Sequence, residues 1–137
     1  MPWYGFIHPV VAIATLVFGI MIAQTSMSRT EYWDFPLRRQ RTRSTVYFLL
    51  CVANLIMGFL FAAEMRGRGV DVKLSLHIPL AIAATAMAVL AAAITFTRSR
   101  RAGELPGIMR YHGWFVAISL AMVLTMAFTG VLALFGV

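Results

Sequence analysis

Charge is scarce in this chain: only 12% of its 137 residues are charged, about half the share of an average soluble domain. That excludes a hydrated globule built around a small core. Acidic residues are scarcest, five against twelve Lys and Arg. Glu31, Asp34, Glu64, Asp71 and Glu104 all fall between long apolar runs or at their ends. Ion and proton pumps place carboxylates within their membrane spans, so this pattern argues against that class. A single cysteine, Cys51, excludes an intrachain disulfide. With no C-x-x-C or C-x-x-C-H there is no thiolate zinc knuckle and no covalently attached haem. The phosphate-binding, nucleophile-elbow and zinc-protease signatures are absent too. The N-terminal stretch MPWYGFIHPVV has no basic leader segment, so the first apolar run is expected to stay attached as an anchor.

What the chain has in abundance is apolar sequence, with 61% hydrophobic residues and a mean hydropathy of +0.81. Four apolar stretches, about 6–24, 45–63, 76–96 and 112–136, each approach the ~20 residues that a helix needs to cross a bilayer. Backbone groups in hydrocarbon must be satisfied within the segment, so each stretch is expected to be a helix. The connections are short, which makes neighbouring helices antiparallel. The expected fold is all-α, a single-domain integral membrane bundle of four helices running up, down, up and down.

The formal charge of +7 raises nucleic acid as a partner, but the basic residues cluster where membrane topology accounts for them. The first and third connections hold Arg29, Arg38, Arg39, Arg41, Arg43, Arg98, Arg100, Arg101 and Arg110, whereas the second holds Arg66, Arg68 and Lys73. The positive-inside tendency places the first and third connections in the cytoplasm and both termini outside it. For a bacterial chain this is the inner, plasma membrane. Tyr32, Trp33 and Phe35 beside the basic cluster read as belt residues at the inner interface.

Three histidines carry the chemistry. His8 opens the first helix and His77 the third, each followed closely by a proline (Pro9, Pro79) that a first helical turn accommodates. Topology puts both at the same outer depth, on helices that lie diagonally opposite in a sequentially wound bundle. Two imidazoles so placed suit axial ligation of a haem iron from both sides. Gly58 and Ala62 on helix two, and Ala127 and Gly130 on helix four, leave room for a porphyrin at that depth, although small residues are common at membrane helix contacts generally. His112 opens helix four at the inner end, where helix two offers no matching histidine. It suits a quinone carbonyl or proton contact, a single-histidine haem site, or an ordinary interface position. Asn54 is expected to bond a neighbouring helix, and the scattered methionines to fill the core.

The outer HP that opens helix one, the histidine that opens helix three and the RYHG that opens helix four resemble the small four-helix b-type cytochromes of the cytochrome b561-like superfamily, in particular its short bacterial DUF4079-type members. The resemblance spans nearly the whole chain. It implies diagonal histidine pairs that hold one b haem near each membrane face, with His8 and His77 on the outer haem and His112 as half of an inner pair. Helix two departs from that pattern, which puts the inner haem in question.

The function expected is therefore a b-type cytochrome membrane subunit that carries electrons between the quinone pool and a redox partner. Haem b would lie between His8 and His77, with Gly58 and Gly130 giving it space and Arg66, Arg68 or Lys73 facing its propionates. A second haem or a bound quinone would involve His112. Other membrane or periplasmic redox subunits, or a second copy of the chain, are the expected partners. The rival expectation is a cofactor-free structural subunit of a larger membrane complex, which the short hydrophilic connections also fit.

Overall fold

The computed structural model describes residues 6–27, 37–69, 76–100 and 106–134, and these form four helices: α1 (Ile7–Met27), α2 (Leu37–Gly67), α3 (His77–Arg100) and α4 (Pro106–Leu134). No strand occurs among the described residues. Each helix is long and apolar enough to cross a membrane, over Ile7–Thr25, Arg38–Gly67, His77–Phe96 and Tyr111–Gly130. The chain has the make-up of a multi-pass membrane protein in a lipid bilayer. Consistent with this, much of its large apolar surface faces outward, including Phe6, Val10, Ile13, Leu60, Trp114 and Phe128.

Helix boundaries differ most from the apolar runs at the starts of α2 and α4. Helix α2 begins at Leu37, not near 45, so Arg38, Arg39, Arg41 and Arg43 lie on a helix and not in a connection. Leu, Arg and Gln are good helix formers, and polarity alone does not stop a helix that leaves the hydrocarbon. At 31 residues α2 runs to about 46 Å, well beyond the ~30 Å hydrocarbon core. Likewise α4 starts at Pro106, a residue whose missing N–H costs nothing in a first turn. Pro9 and Pro79 fall in the first turns of α1 and α3, as expected. The aromatic group Tyr32, Trp33 and Phe35, together with Arg29 and Lys73, lies outside the described residues, as do the side chains of Arg98, Arg100, Arg101 and Arg110.

Each helix packs against its neighbours in sequence, and α1 closes the ring against α4. This leaves α1 diagonal to α3 and α2 diagonal to α4. The inward faces keep a heptad spacing. Helix α2 turns Gln40, Ser44, Tyr47, Cys51, Asn54 and Gly58 along one stripe, and α4 repeats that spacing at His112, Val116, Ser119, Val123, Met126 and Gly130. Buried positions at Thr15, Gly19 and Ile22 on α1, and at Ala84, Ala88, Ala91 and Thr95 on α3, follow the same rule. A period of about 3.5 residues keeps one face towards the axis over a whole span, the packing of left-handed bundles.

Polar ties across helices fix the register. The Tyr47 hydroxyl donates to Ser119 Oγ (2.7 Å) across the α2–α4 diagonal, and Ser119 donates to the Ala84 carbonyl (3.0 Å). Arg43 donates from Nη1 to Thr25 Oγ1 (2.6 Å) and to the Met21 carbonyl (3.3 Å), covering late carbonyls of α1. The Arg41 guanidinium sits over the Phe96 ring, 4.8 Å from its centroid, and ties α2 to α3. Asn54 does bond a neighbouring helix, donating from Nδ2 to Thr15 Oγ1 at 2.7 Å. Replacing Asn54 by Leu should destabilise the bundle by about 0.6–1.7 kcal/mol, the measured span for hydrogen bonds between membrane helices. A cycle with Thr15→Val in a denaturing-detergent titration checks this: the double variant should lose little more than Asn54→Leu alone.

Candidate functional site

Helices α1 and α3 run in the same direction, and each opens with its histidine. His8 and His77 meet across the diagonal, with ring centroids 6.3 Å apart and ring planes inclined by 66°. The expectation of one shared depth therefore becomes a direct juxtaposition.

The surroundings are specific. A Cβ built on Gly58 would meet only His8 Cε1, at 3.7 Å, and one built on Gly130 only His77 Cε1, also at 3.7 Å. Among the described residues, and apart from each glycine's own helix, nothing else lies within 4 Å of either position. The two glycines that were candidates for making space are thus the residues facing the two rings, one on each remaining helix. Ala127 turns outward and does not join them. Arg66 lies exposed on the last turn of α2, two turns or about 12 Å beyond Gly58. Nothing in the described structure brings it to the rings. Arg68 pairs with Glu64 on the helix surface, and Lys73 is outside the described residues.

Hydrogen bonds assign the proton on His77. Thr129 Oγ1 donates to the Met126 carbonyl (3.1 Å), so its lone pairs accept from His77 Nδ1–H at 3.3 Å. That leaves the lone pair of the His77 ring on Nε2, with the ring held by a partner on α4. His8 Nδ1 is buried with no hydrogen-bond partner among the described residues.

His112 is not at an exposed interface. It is 1% exposed, and its Nδ1 lies 3.0 Å from the Ala91 carbonyl and 3.3 Å from Thr95 Oγ1. A carbonyl only accepts, so Nδ1 carries the proton here too. A histidine early in one helix of the α3–α4 hairpin and a threonine late in the other recur at both ends, His77 with Thr129 and His112 with Thr95. Helix register puts His112 five turns below Gly130, about 27 Å from the level of the pair. It belongs to a separate end of the bundle, and its register equivalent on α2 is Gln40, which is fully buried.

Comparison with known proteins returns no match: no family model fits the chain, and no curated protein or solved structure resembles it. The b561-like resemblance rests on the residues alone.

Among the described residues no group of three or more His, Cys, Asp or Glu side chains comes together. A tetrahedral protein-ligated zinc site needs three or four such ligands. Two facing imidazoles suit an ion whose other positions are filled by a ring ligand. With both ring nitrogens turned to one ion, two metal–nitrogen bonds of about 2 Å and two ring half-widths of about 1.1 Å would sum to about 6 Å between centroids, against the 6.3 Å of these edge-on rings. Sequence reasoning missed Gln40 and Ser44 at the far end. The signal that would have found them is the shared spacing of α2 and α4.

Proposed function

We propose that the chain is a membrane b-type cytochrome subunit, with one haem held between His8 and His77, that exchanges electrons between the quinone pool and a redox partner. The observation that carries this reading is the 6.3 Å separation of two imidazoles on diagonal helices, flanked by glycines on the other two. When bound, the haem supplies one-electron iron chemistry. The residues of the chain supply the rest. His8 and His77 offer imidazole nitrogens, and Thr129 holds the proton of His77 on Nδ1. Gly58 and Gly130 keep side chains away from the flanks of the rings. The closed apolar bundle below them, centred on Ile22, Tyr47, Ala88, Ala91 and Val116, keeps water from that side. The arginine bias supports an orientation with the histidine end outside the cytoplasm.

The test is a reduced-minus-oxidised visible spectrum of the purified protein, with haem counted per chain. One haem per chain, with the spectrum of two nitrogen ligands, is expected. A colourless, folded preparation would overturn the reading in favour of a cofactor-free structural subunit. Because His112 is tied to Ala91 and Thr95 at the other end, His112→Leu is expected to leave the haem count at one. It should still lower stability by about 1–3 kcal/mol, the cost of leaving buried polar groups without partners. A wild-type count of two that falls to one in that variant would instead assign a second haem to His112.

A further inference from the structure

Arg38, Arg39, Arg41 and Arg43 share the first two turns of α2, yet they are not used alike. Arg43 turns to α1, where it bonds Thr25 Oγ1 and the Met21 carbonyl. Arg41 turns to α3 and stacks on Phe96. Arg38 and Arg39 are exposed, and neither guanidinium makes a hydrogen bond or ion pair among the described residues. Glu64, the one carboxylate among those residues, lies at the opposite end of the bundle with Arg68. Like charges at i and i+3 repel, so Arg38 and Arg41 stand side by side with no described carboxylate to neutralise them.

The outward side of α2 keeps a heptad spacing of its own, through Arg38, Thr42, Thr45, Leu49, Val52 and Ile56. Thr42 and Thr45 donate their hydroxyls back to the Arg38 and Arg41 carbonyls (3.1 and 2.8 Å), which leaves the guanidinium groups as the side-chain donors of this face. Leu49 and Ile56 are exposed below them. With the apolar run beginning near Thr45, Arg41 lies about 6 Å and Arg38 about 10 Å outside the hydrocarbon. A guanidinium on its flexible stem reaches the headgroup layer from either position. The far side of the bundle marks the same depth. Tyr111 and Trp114 are exposed on α4 at 60% and 65%, and the Tyr47–Ser119 register sets them level with Arg39 and Thr42. Exposed Trp and Tyr rings at one level mark a membrane interface.

We propose that this face of α2 binds an anionic phospholipid of the leaflet at the arginine end, its phosphate between Arg38 and Arg41 and its acyl chains along Leu49, Val52 and Ile56. A guanidinium fork suits phosphate oxygens. Stacking on Phe96 occupies the flat face of Arg41 and leaves its N–H edge to donate, so that one arm of the clamp is already oriented. The positive end of the α2 dipole lies at the same level. One leaflet has about 15 Å of hydrocarbon, the rise from Thr45 to about Ile56, so charge and apolar track together match one lipid. A zwitterionic headgroup carries its own ammonium against the two guanidinium groups, whereas a net negative one does not. The histidine pair takes no part, so the inference stands whether or not haem occupies it.

The experiment is native mass spectrometry of the whole chain released from non-ionic detergent micelles that hold equal amounts of phosphatidylglycerol and phosphatidylcholine with the same acyl chains. Phosphatidylglycerol should be retained in preference by roughly tenfold or more, since two arginines face its phosphate. Arg38→Gln should cut that preference about fivefold, the worth of one arginine at an anionic surface. Its unfolding midpoint in phosphatidylcholine should equal wild type, because the Arg38 side chain makes no bond that the fold would lose. Arg68→Gln removes the same charge from the other end and should leave the preference unchanged. Inorganic phosphate in large excess should not displace the lipid, because it lacks the chains that lie on Leu49 and Ile56. Equal retention of the two lipids would overturn the proposal. An equal loss in Arg38→Gln and Arg68→Gln would do so too, since net charge alone gives that result, and displacement by inorganic phosphate would overturn the assignment to a lipid.

Discussion

His77→Ala should abolish haem binding, leaving a folded protein without Soret or alpha bands. The argument is geometric. The two rings are the only imidazoles within reach of each other among the described residues, and they come from helices that do not otherwise pack closely. Removing either would leave the proposed iron with one protein nitrogen and an open flank. His8→Ala should lose the haem as completely. Gly58→Leu should do so with both histidines intact, because its side chain would grow from a point where even a Cβ lies 3.7 Å from His8 Cε1. His77→Met would keep a weaker axial ligand of another class, and a retained but shifted spectrum would show that the position ligates iron and does not merely support the fold. Normal spectra in both alanine variants would sink the proposed site. The measurement is haem per chain by visible spectroscopy, with circular dichroism confirming the helices.

The second large effect is expected in the middle of the bundle, away from any cofactor. A Cβ on Gly19 would lie 2.8 Å from Leu120 Cδ1 and 3.0 Å from Tyr47 Cε2. Leu120 ends in a flexible side chain that swings aside cheaply. The Tyr47 ring does not, since its hydroxyl is bonded to Ser119 and its ring is 2% exposed. Two effects oppose each other at this site. Replacing a helical glycine gains about 1 kcal/mol of propensity, whereas overpacking a closed core costs about 1–3 kcal/mol and more as volume grows. Gly19→Ala should therefore come out near neutral. Gly19→Leu adds three more carbons against the pinned ring and should destabilise at the upper end of that range. Unfolding in a mixed-micelle titration measures both. A Gly19→Leu midpoint equal to wild type would mean that Tyr47 is not held as described.

Much of this fold was legible from residue type alone. Four runs of apolar residues in a chain with five carboxylates leave few alternatives to four spanning helices. The prolines after His8 and His77 mark first turns because proline loses nothing there. The starts of α2 and α4 were not legible from hydropathy, since Arg38 to Arg43 continue a helix after it has left the apolar layer. The histidine pair could be inferred from topology, because parallel helices opening at one end bring their first residues to one depth. The burial of His112 could not. Its place among Tyr111, Trp114 and Arg110 reads as an interface, and only the heptad stripe of α4 shows that it turns inward while Tyr111 and Trp114 turn out. Asn54 stood out for its amide group, whereas Gln40 was hidden among arginines.

One consequence follows from how the pair is divided. The hairpin α1–α2 contributes His8 and Gly58, and the hairpin α3–α4 contributes His77 and Gly130. Neither half owns a complete site. Any group that engages both imidazoles would be a clasp between two halves of the molecule, stabilising their docking by RT ln(1 + L/Kd) at free ligand concentration L, a term that grows with the logarithm of ligand concentration over Kd. The same division makes the site a sensor of assembly: a chain inserted in the membrane with its hairpins undocked has both histidines yet offers no place to bind. A group held by both imidazoles would therefore be bound only once the halves have come together.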